Sequence, residues 1–318
     1  MAYNNLPAAI ITPMNPDLRK SAERHHPVFW FSDGSLVLRV DTVMFNVHRT
    51  LLTRHSPFLL SLLSAGSPGS DQTDYIQIDP ARLVSALDFE VLLEHLYHDV
   101  PLSSDTAFPR IASVVRVTCP NQLHFPRIHD VALRYFADLF PSGPAPFVHP
   151  PHLEEALALA DSFNVGSIRK GLYYSLVTST NFDTDSASRK ENLAETPRAA
   201  PEIEPTASPN YVLSRRDSQR CMRLMTHMID HFSPILFTAP ATGHMACTDV
   251  FADKWMKLII EPAMANEGVY KPLETLEGFK SVGWEEAGVC EGCVAEKKDE
   301  WSGEQEHMWK AMDAWLEI

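Results

Sequence analysis

The chain has 318 residues, 45% of them hydrophobic, and a net charge of −14. That length is a prior for two domains, and that composition can bury a core, which excludes wholesale disorder. The acidic balance argues against a general binder of phosphate backbones. No uncharged apolar run of about 18 residues is present to span a membrane, and five scattered cysteines do not form a disulfide framework.

The first residues, MAYNNLPAAIITPMNPDLRK, lack the early positive charge of a secretory signal, so the expected compartment is cytoplasmic or nuclear. Residues 1–27 read as a flexible segment and the organised chain as starting near Val28. Asp33-Gly34 is a turn signal. Two alternating runs follow, 36–40 and 43–47, joined by Asp41-Thr42 as a tight β-hairpin. The run FNVHRTLLTRHSPFLLSLL, Phe45 to Leu63, then turns helical and breaks at Ser56-Pro57, where Ser caps a new helix and Pro suits its first position. AGSPGSDQTD is a polar loop, 75–78 a short strand, and 89–97 an amphipathic helix.

Residues 99–151 are Pro-rich and interrupt this pattern. They read as an insertion loop containing one helical piece, 128–140. Helices resume with HLEEALALADSFNV and GSIRKGLYYSLV. Residues 183–209, with Pro197, Pro201, Pro205 and Pro209 at every fourth position, read as a linker that cannot bury enough apolar area to order itself. Residues 210–318 form a mainly helical second region. Cys221, Leu224, Met225, Met228 and Phe232 share one helix face, and Ser302 with Gln305 reads as a capping box for a last helix.

Residues 28–97, continued by 152–177, resemble a BTB/POZ domain. The likeness rests on Asp33 before the hairpin, the Phe45-x-x-His48-Arg49-x-x-Leu52 run, and Ser56 followed by Phe58 on an apolar helix. The wording His-Arg-x-Leu-Leu-x-Arg-His-Ser-Pro is similar to that of the large set of fungal BTB proteins. The resemblance implies an α+β fold, a small sheet with flanking helices, spanning 28–180 around the 99–151 insertion. It also implies a non-enzymatic interaction module that often homodimerises and serves as an adaptor or regulatory scaffold. Adaptors of cullin-type ubiquitin ligases carry a hydrophobic-x-acidic motif where this chain reads SAGSPGSDQTD, so the cullin assignment does not follow.

His48 and His55 as catalysts would need a carboxylate or nucleophile held by a third group. Asp33 is a candidate partner for His48 or Arg49, but a structural pair is the simpler reading. Ser56 lacks a nucleophile elbow. No catalytic residue is assigned and an enzyme is not expected. The expected partner or dimer surface is Phe58, Leu59 and Leu62.

His227 and His231, four apart on one helix, lack the Glu of a zincin pair. His244-x-x-Cys247 and Cys290-x-x-Cys293, with 42 residues between Cys247 and Cys290, can supply a tetrahedral Cys₃His set for structural zinc. The competing reading is cysteines that serve as small buried hydrophobes. A zinc-stabilised transcriptional or ubiquitin-ligase regulator is therefore the alternative function.

Overall fold

Strands β1 (Arg24–Trp30), β2 (Leu36–Val40), β3 (Val43–Val47) and β4 (Asp74–Gln77) form one sheet in the order β1-β3-β2-β4. The computed structural model describes residues 24–64, 74–144, 151–179 and 213–318, which divide into two compact units, 1–139 and 140–318. Residues 1–23, 65–73 and the expected linker 183–209 lie outside the described residues. β2 and β3 pair antiparallel from Leu36↔Val47 to Val40↔Val43. Their alternation sends Leu36, Leu38, Val40, Phe45 and Val47 into the core. Asp41 turns the hairpin at φ 51, a left-handed conformation that Asp tolerates. β1 begins at Arg24, inside the segment expected to be flexible, because its backbone finds partners in parallel pairing with β3.

Helices α1 (Arg49–His55) and α2 (Pro57–Ser64) follow the hairpin, and α3 (Ala86–Leu96) follows β4. Ser56 separates α1 from α2, and its hydroxyl makes two contacts. It donates to the Leu123 carbonyl at 2.6 Å and accepts from the Leu59 N–H at 3.0 Å, with both Ser56 and Leu123 fully buried. Ser56→Ala would orphan that carbonyl and remove the cap, a loss of about 1–3 kcal/mol. The urea midpoint should fall accordingly, and an unchanged midpoint would refute this role.

Where it is described, the stretch from 99 to 144 is not one long loop. It contains α4 (Phe108–Thr118), which packs on α3, and α5 (Pro126–Asp138), which packs on α4 and touches α1. α4 escaped the sequence reading because Val114, Val115, Val117 and Thr118 are β-branched and prolines flank it. Burial of Ile111, Ala112, Val114 and Val115 overrides that local preference. Two arginines fasten α4 to α3: Arg116 bonds Asp88 at 2.8 and 3.1 Å, and Arg110 pairs with Glu94.

The second unit begins with α6 (Leu153–Ser162) and α7 (Gly166–Ser179), the two helices expected to continue the first domain. α8 (Arg215–Phe237) buries Cys221, Leu224, Met228, Phe232 and Leu236 along one face, while Met225 of the expected face is only half-buried. α9 (Met245–Trp255) runs through a wide π turn, Met256–Ile260, into α10 (Glu261–Ala265). Pro262, which has no N–H to donate, follows directly after that turn. α11 (Pro272–Ser281) and α12 (Trp284–Ala287) lead to α13 (Glu291–Leu316).

α13 starts eleven residues before the expected capping box. Ser302 sits mid-helix with its hydroxyl on the Lys298 carbonyl, and buried Gln305 donates to the Leu273 carbonyl at 2.7 Å. The core of this unit is aromatic. Phe251, Trp255, Phe279, Trp284 and Trp301 are buried together, with the Phe251–Trp284 centroids 4.7 Å apart. The indole N–H groups of Trp255 and Trp284 donate to the Leu236 and Phe279 carbonyls at 2.8 and 2.9 Å. No helix among the described residues is long and apolar enough to cross a membrane.

Candidate functional site

Two places merit the name, one in each unit. In the first unit, the polar residues of the central run are committed to the framework. Asp33 lies 3.4 Å from His48 Nε2, and the Tyr97 hydroxyl lies 2.9 Å from His48 Nδ1 while accepting the His48 backbone N–H at 3.1 Å. Burial raises the Tyr97 pKa, against the lowering effect of that N–H. The phenol therefore keeps its proton while it holds the His48 ring and backbone. Arg49 takes a different carboxylate, Asp74 at 2.6 Å, and its N–H donates to Ser35 Oγ at 3.0 Å.

Phe45 and Leu52 are fully buried, Phe45 edge-on to Phe89. Burial, with Arg54 and Arg127 nearby, lowers the His55 pKa. With its hydroxyl spent on the backbone and no exposed surface, Ser56 is not placed to act as a nucleophile.

The expected partner surface needs a correction at one residue. Leu59 is fully buried and belongs to the core. Its neighbour Leu60 is the exposed large apolar residue of α2, while Phe58 and Leu62 are half-buried. The helical phase could not be read in advance because Pro57 starts α2 and resets which residues face inward. The Arg82 guanidinium covers the Phe58 ring at 3.7 Å, which sets the short helical turn Pro80–Arg82 beside α2.

Sequence reasoning missed the next two residues. Leu83 is 80% exposed and held at φ 53, and Leu87 is 72% exposed. A leucine in the left-handed region, with its side chain in water, satisfies neither local preference nor burial. Two isolated leucines around the Ser85 cap of α3 gave no periodic signal.

In the second unit the structure brings together His244, Cys247, Cys290 and Cys293. His244 precedes the first residue of α9 and Cys290 that of α13, while Cys247 and Cys293 lie one turn inside. Gly288, at φ 107 after α12, makes the turn that delivers Val289 and Cys290 to the cluster. His244 Nδ1 lies 3.2 Å from Cys290 Sγ and 3.6 Å from Cys293 Sγ, and the Cys247 and Cys290 sulfurs are 3.6 Å apart. All four donor atoms fall within 4.8 Å of one another.

A tetrahedral ion with bonds of about 2.3 Å to sulfur and 2.0 Å to nitrogen requires edges of about 3.5–3.8 Å. The donor set and its spacing fit a metal ion. The Cys290 N–H points at Cys247 Sγ at 3.5 Å, an outer contact of the kind that orients a thiolate. The backbone N–H of Cys293, then His244 and the neighbouring thiols, pull the Cys290 thiol down to about 6. Burial raises Cys293. By contrast, His227 stacks on Trp315 while His231 bonds Glu304 at 2.6 Å. Both imidazoles also pack against Trp315, and among the described residues the His244 cluster is the metal-capable group found.

Comparison with known proteins adds one match. Residues 31–130 match the family model described as BTB/POZ domain, a span that runs through α4 and into α5. No curated protein matches the chain.

Proposed function

We propose, from the premise that this chain carries a BTB/POZ domain in residues 31–130, that it is a non-enzymatic protein–protein interaction protein whose first unit pairs with a second copy of itself. The observation that carries this reading is that Leu60, Leu83 and Leu87 of the first unit stay exposed (50, 80 and 72%) although they are large and apolar. Large apolar side chains kept in water mark a surface that another protein covers. Phe58 and Leu62 are half-buried on the same helix as Leu60, and Arg82, next to Leu83, covers the Phe58 ring. Paired with itself, the domain would present the second unit twice, as an adaptor or regulatory scaffold does.

Light scattering coupled to size exclusion tests this on the full chain. The wild type should run as a dimer, and Leu60→Asp combined with Leu83→Asp should run as a monomer with an unchanged Tm. A folded variant that remains dimeric would sink the surface assignment.

The second unit supports a further part of the reading: zinc held by His244, Cys247, Cys290 and Cys293. The mixed sulfur and imidazole donors at near-tetrahedral spacing favour zinc over hard cations, which take oxygen ligands. Five free thiols and a thiolate-rich cluster suit a reducing compartment, cytoplasmic or nuclear. Such a unit fits a regulator of transcription or of ubiquitin transfer, and affinity purification of the chain with and without residues 140–318 separates partners of the two units. The cullin question rests on residues outside those described.

A further inference from the structure

We propose that Cys290 is an oxidation site, at which a hydroperoxide links it to Cys247 and thereby releases the ion that the cluster holds. This rests on the zinc reading of the same four residues. Three features single out Cys290. It is the most exposed of the three cysteines in the cluster, whereas Cys247 and Cys293 are only 5% and 4% exposed. Its sulfur lies 3.6 Å from that of Cys247, so a bond of about 2.05 Å needs the two sulfurs to close by only about 1.5 Å. Both residues begin helices, Cys290 as the cap of α13 and Cys247 in the first turn of α9, so the approach bends no helix interior.

The chemistry balances as follows. The Cys290 sulfur, deprotonated as a metal ligand must be, attacks the outer peroxide oxygen. An S–O bond forms, the O–O bond breaks, and the departing alkoxide or hydroxide takes a proton from water. The Cys247 thiolate then attacks the Cys290 sulfenic sulfur. The S–S bond forms, the S–O bond breaks, and hydroxide leaves to become water with a second proton. Two electrons pass from the sulfur pair to the peroxide. Sulfurs joined in a disulfide no longer carry the charge that bound the ion, and His244 with Cys293 supply only two of the four ligands a structural site requires.

The full chain, purified without chelator, is first analysed for metal. It is then titrated with hydrogen peroxide while a chromophoric chelator reports released zinc and a thiol reagent counts free cysteines. About one zinc ion per chain should appear as two thiols disappear, peptide mapping should join Cys247 to Cys290, and a dithiol reductant should restore both. Cys119 and Cys221, 6% and 1% exposed, should stay reduced throughout. Cys290→Ser should abolish the linkage; if that variant does not fold, the wild-type map decides alone. Zinc retained while thiols are lost, or a linkage of Cys290 to Cys293, overturns the proposal. Fresh protein without zinc overturns the metal reading instead, and the Cys247–Cys290 linkage, mapped in that same sample, separates the two failures.

Discussion

Stripping the metal from the full chain with a strong chelator is expected to lower the Tm of the second unit by roughly 8–16 °C. An ion present at about a thousand times its Kd stabilises the folded state by about 4 kcal/mol, and a domain of this size loses about 2–4 °C per kcal/mol. The structural reason is where the ligands stand. His244 and Cys247 hold the start of α9, Cys290 and Cys293 the start of α13, and 43 residues separate Cys247 from Cys290. The ion closes that loop.

The buried aromatic core of Trp255, Trp284 and Trp301 supplies none of the ligands, so the metal-free unit should melt early rather than be unfolded throughout. Calorimetry with and without chelator reads the shift. Cys247→Ser should reproduce it and show no further response to chelator. A shift under about 2 °C in the wild type would defeat the structural role.

Asp217→Ala should destabilise the second unit by about 3–5 kcal/mol, the range for breaking a buried charged pair by removing one partner. Asp217 accepts the Tyr173 hydroxyl at 2.6 Å and the Ser214 hydroxyl at 2.5 Å, with Arg220 at 3.5 Å. Arg220 in turn donates to Tyr173 at 3.0 Å and is almost wholly buried. Without the carboxylate, the Arg220 charge stays on a side chain that is 7% exposed and has lost that partner. Replacing both members together, Asp217→Leu with Arg220→Met, should recover much of the loss, because no buried charge is then left over.

The network also sets a pH dependence. Burial alone would raise the Asp217 pKa, but the Ser214 and Tyr173 hydroxyls and the Arg220 charge hold it below the usual carboxylate value. Burial and the neighbouring carboxylate push Tyr173 up to about 12, so it remains the donor. A carboxylate depressed in the folded state contributes stability that is full above its unfolded pKa of about 3.9 and is lost as pH falls through its folded value. Urea midpoints measured downward from pH 5 should therefore fall more steeply for the wild type than for Asp217→Asn. Parallel profiles would assign the acid sensitivity to other groups.

Much of this was legible in the residues. The hairpin from Leu36 to Val47 announces itself because a half-buried strand must alternate, and Asp41-Thr42 leaves no other connection. The α8 stripe of Cys221, Leu224, Met228 and Phe232 does so because a helix repeats every 3.6 residues. α4 was not legible, since its β-branched run prefers a strand until α3 and α5 enclose it. Nor was the true start of α13: Ser302 and Gln305 have the spacing of a capping box but lie on one continuous helix that begins at Glu291. Leu59 and Leu60 exchanged roles because one residue on a helix turns through about 100°.

The sequence by itself determined the hairpin of the first unit, the helical class of the second and the two x₂ pairs of ligand-type residues, because these are periodic or local, while the α+β class was what the BTB/POZ resemblance implied. Only the tertiary structure decided that His244 and Cys247 meet Cys290 and Cys293, that Asp33 faces His48 while Arg49 turns to Asp74, and that Leu60, Leu83 and Leu87 stay in water. These are relations between segments far apart in the chain. They depend on how helices and strands pack, and pairwise packing leaves no mark on the order of neighbouring residues.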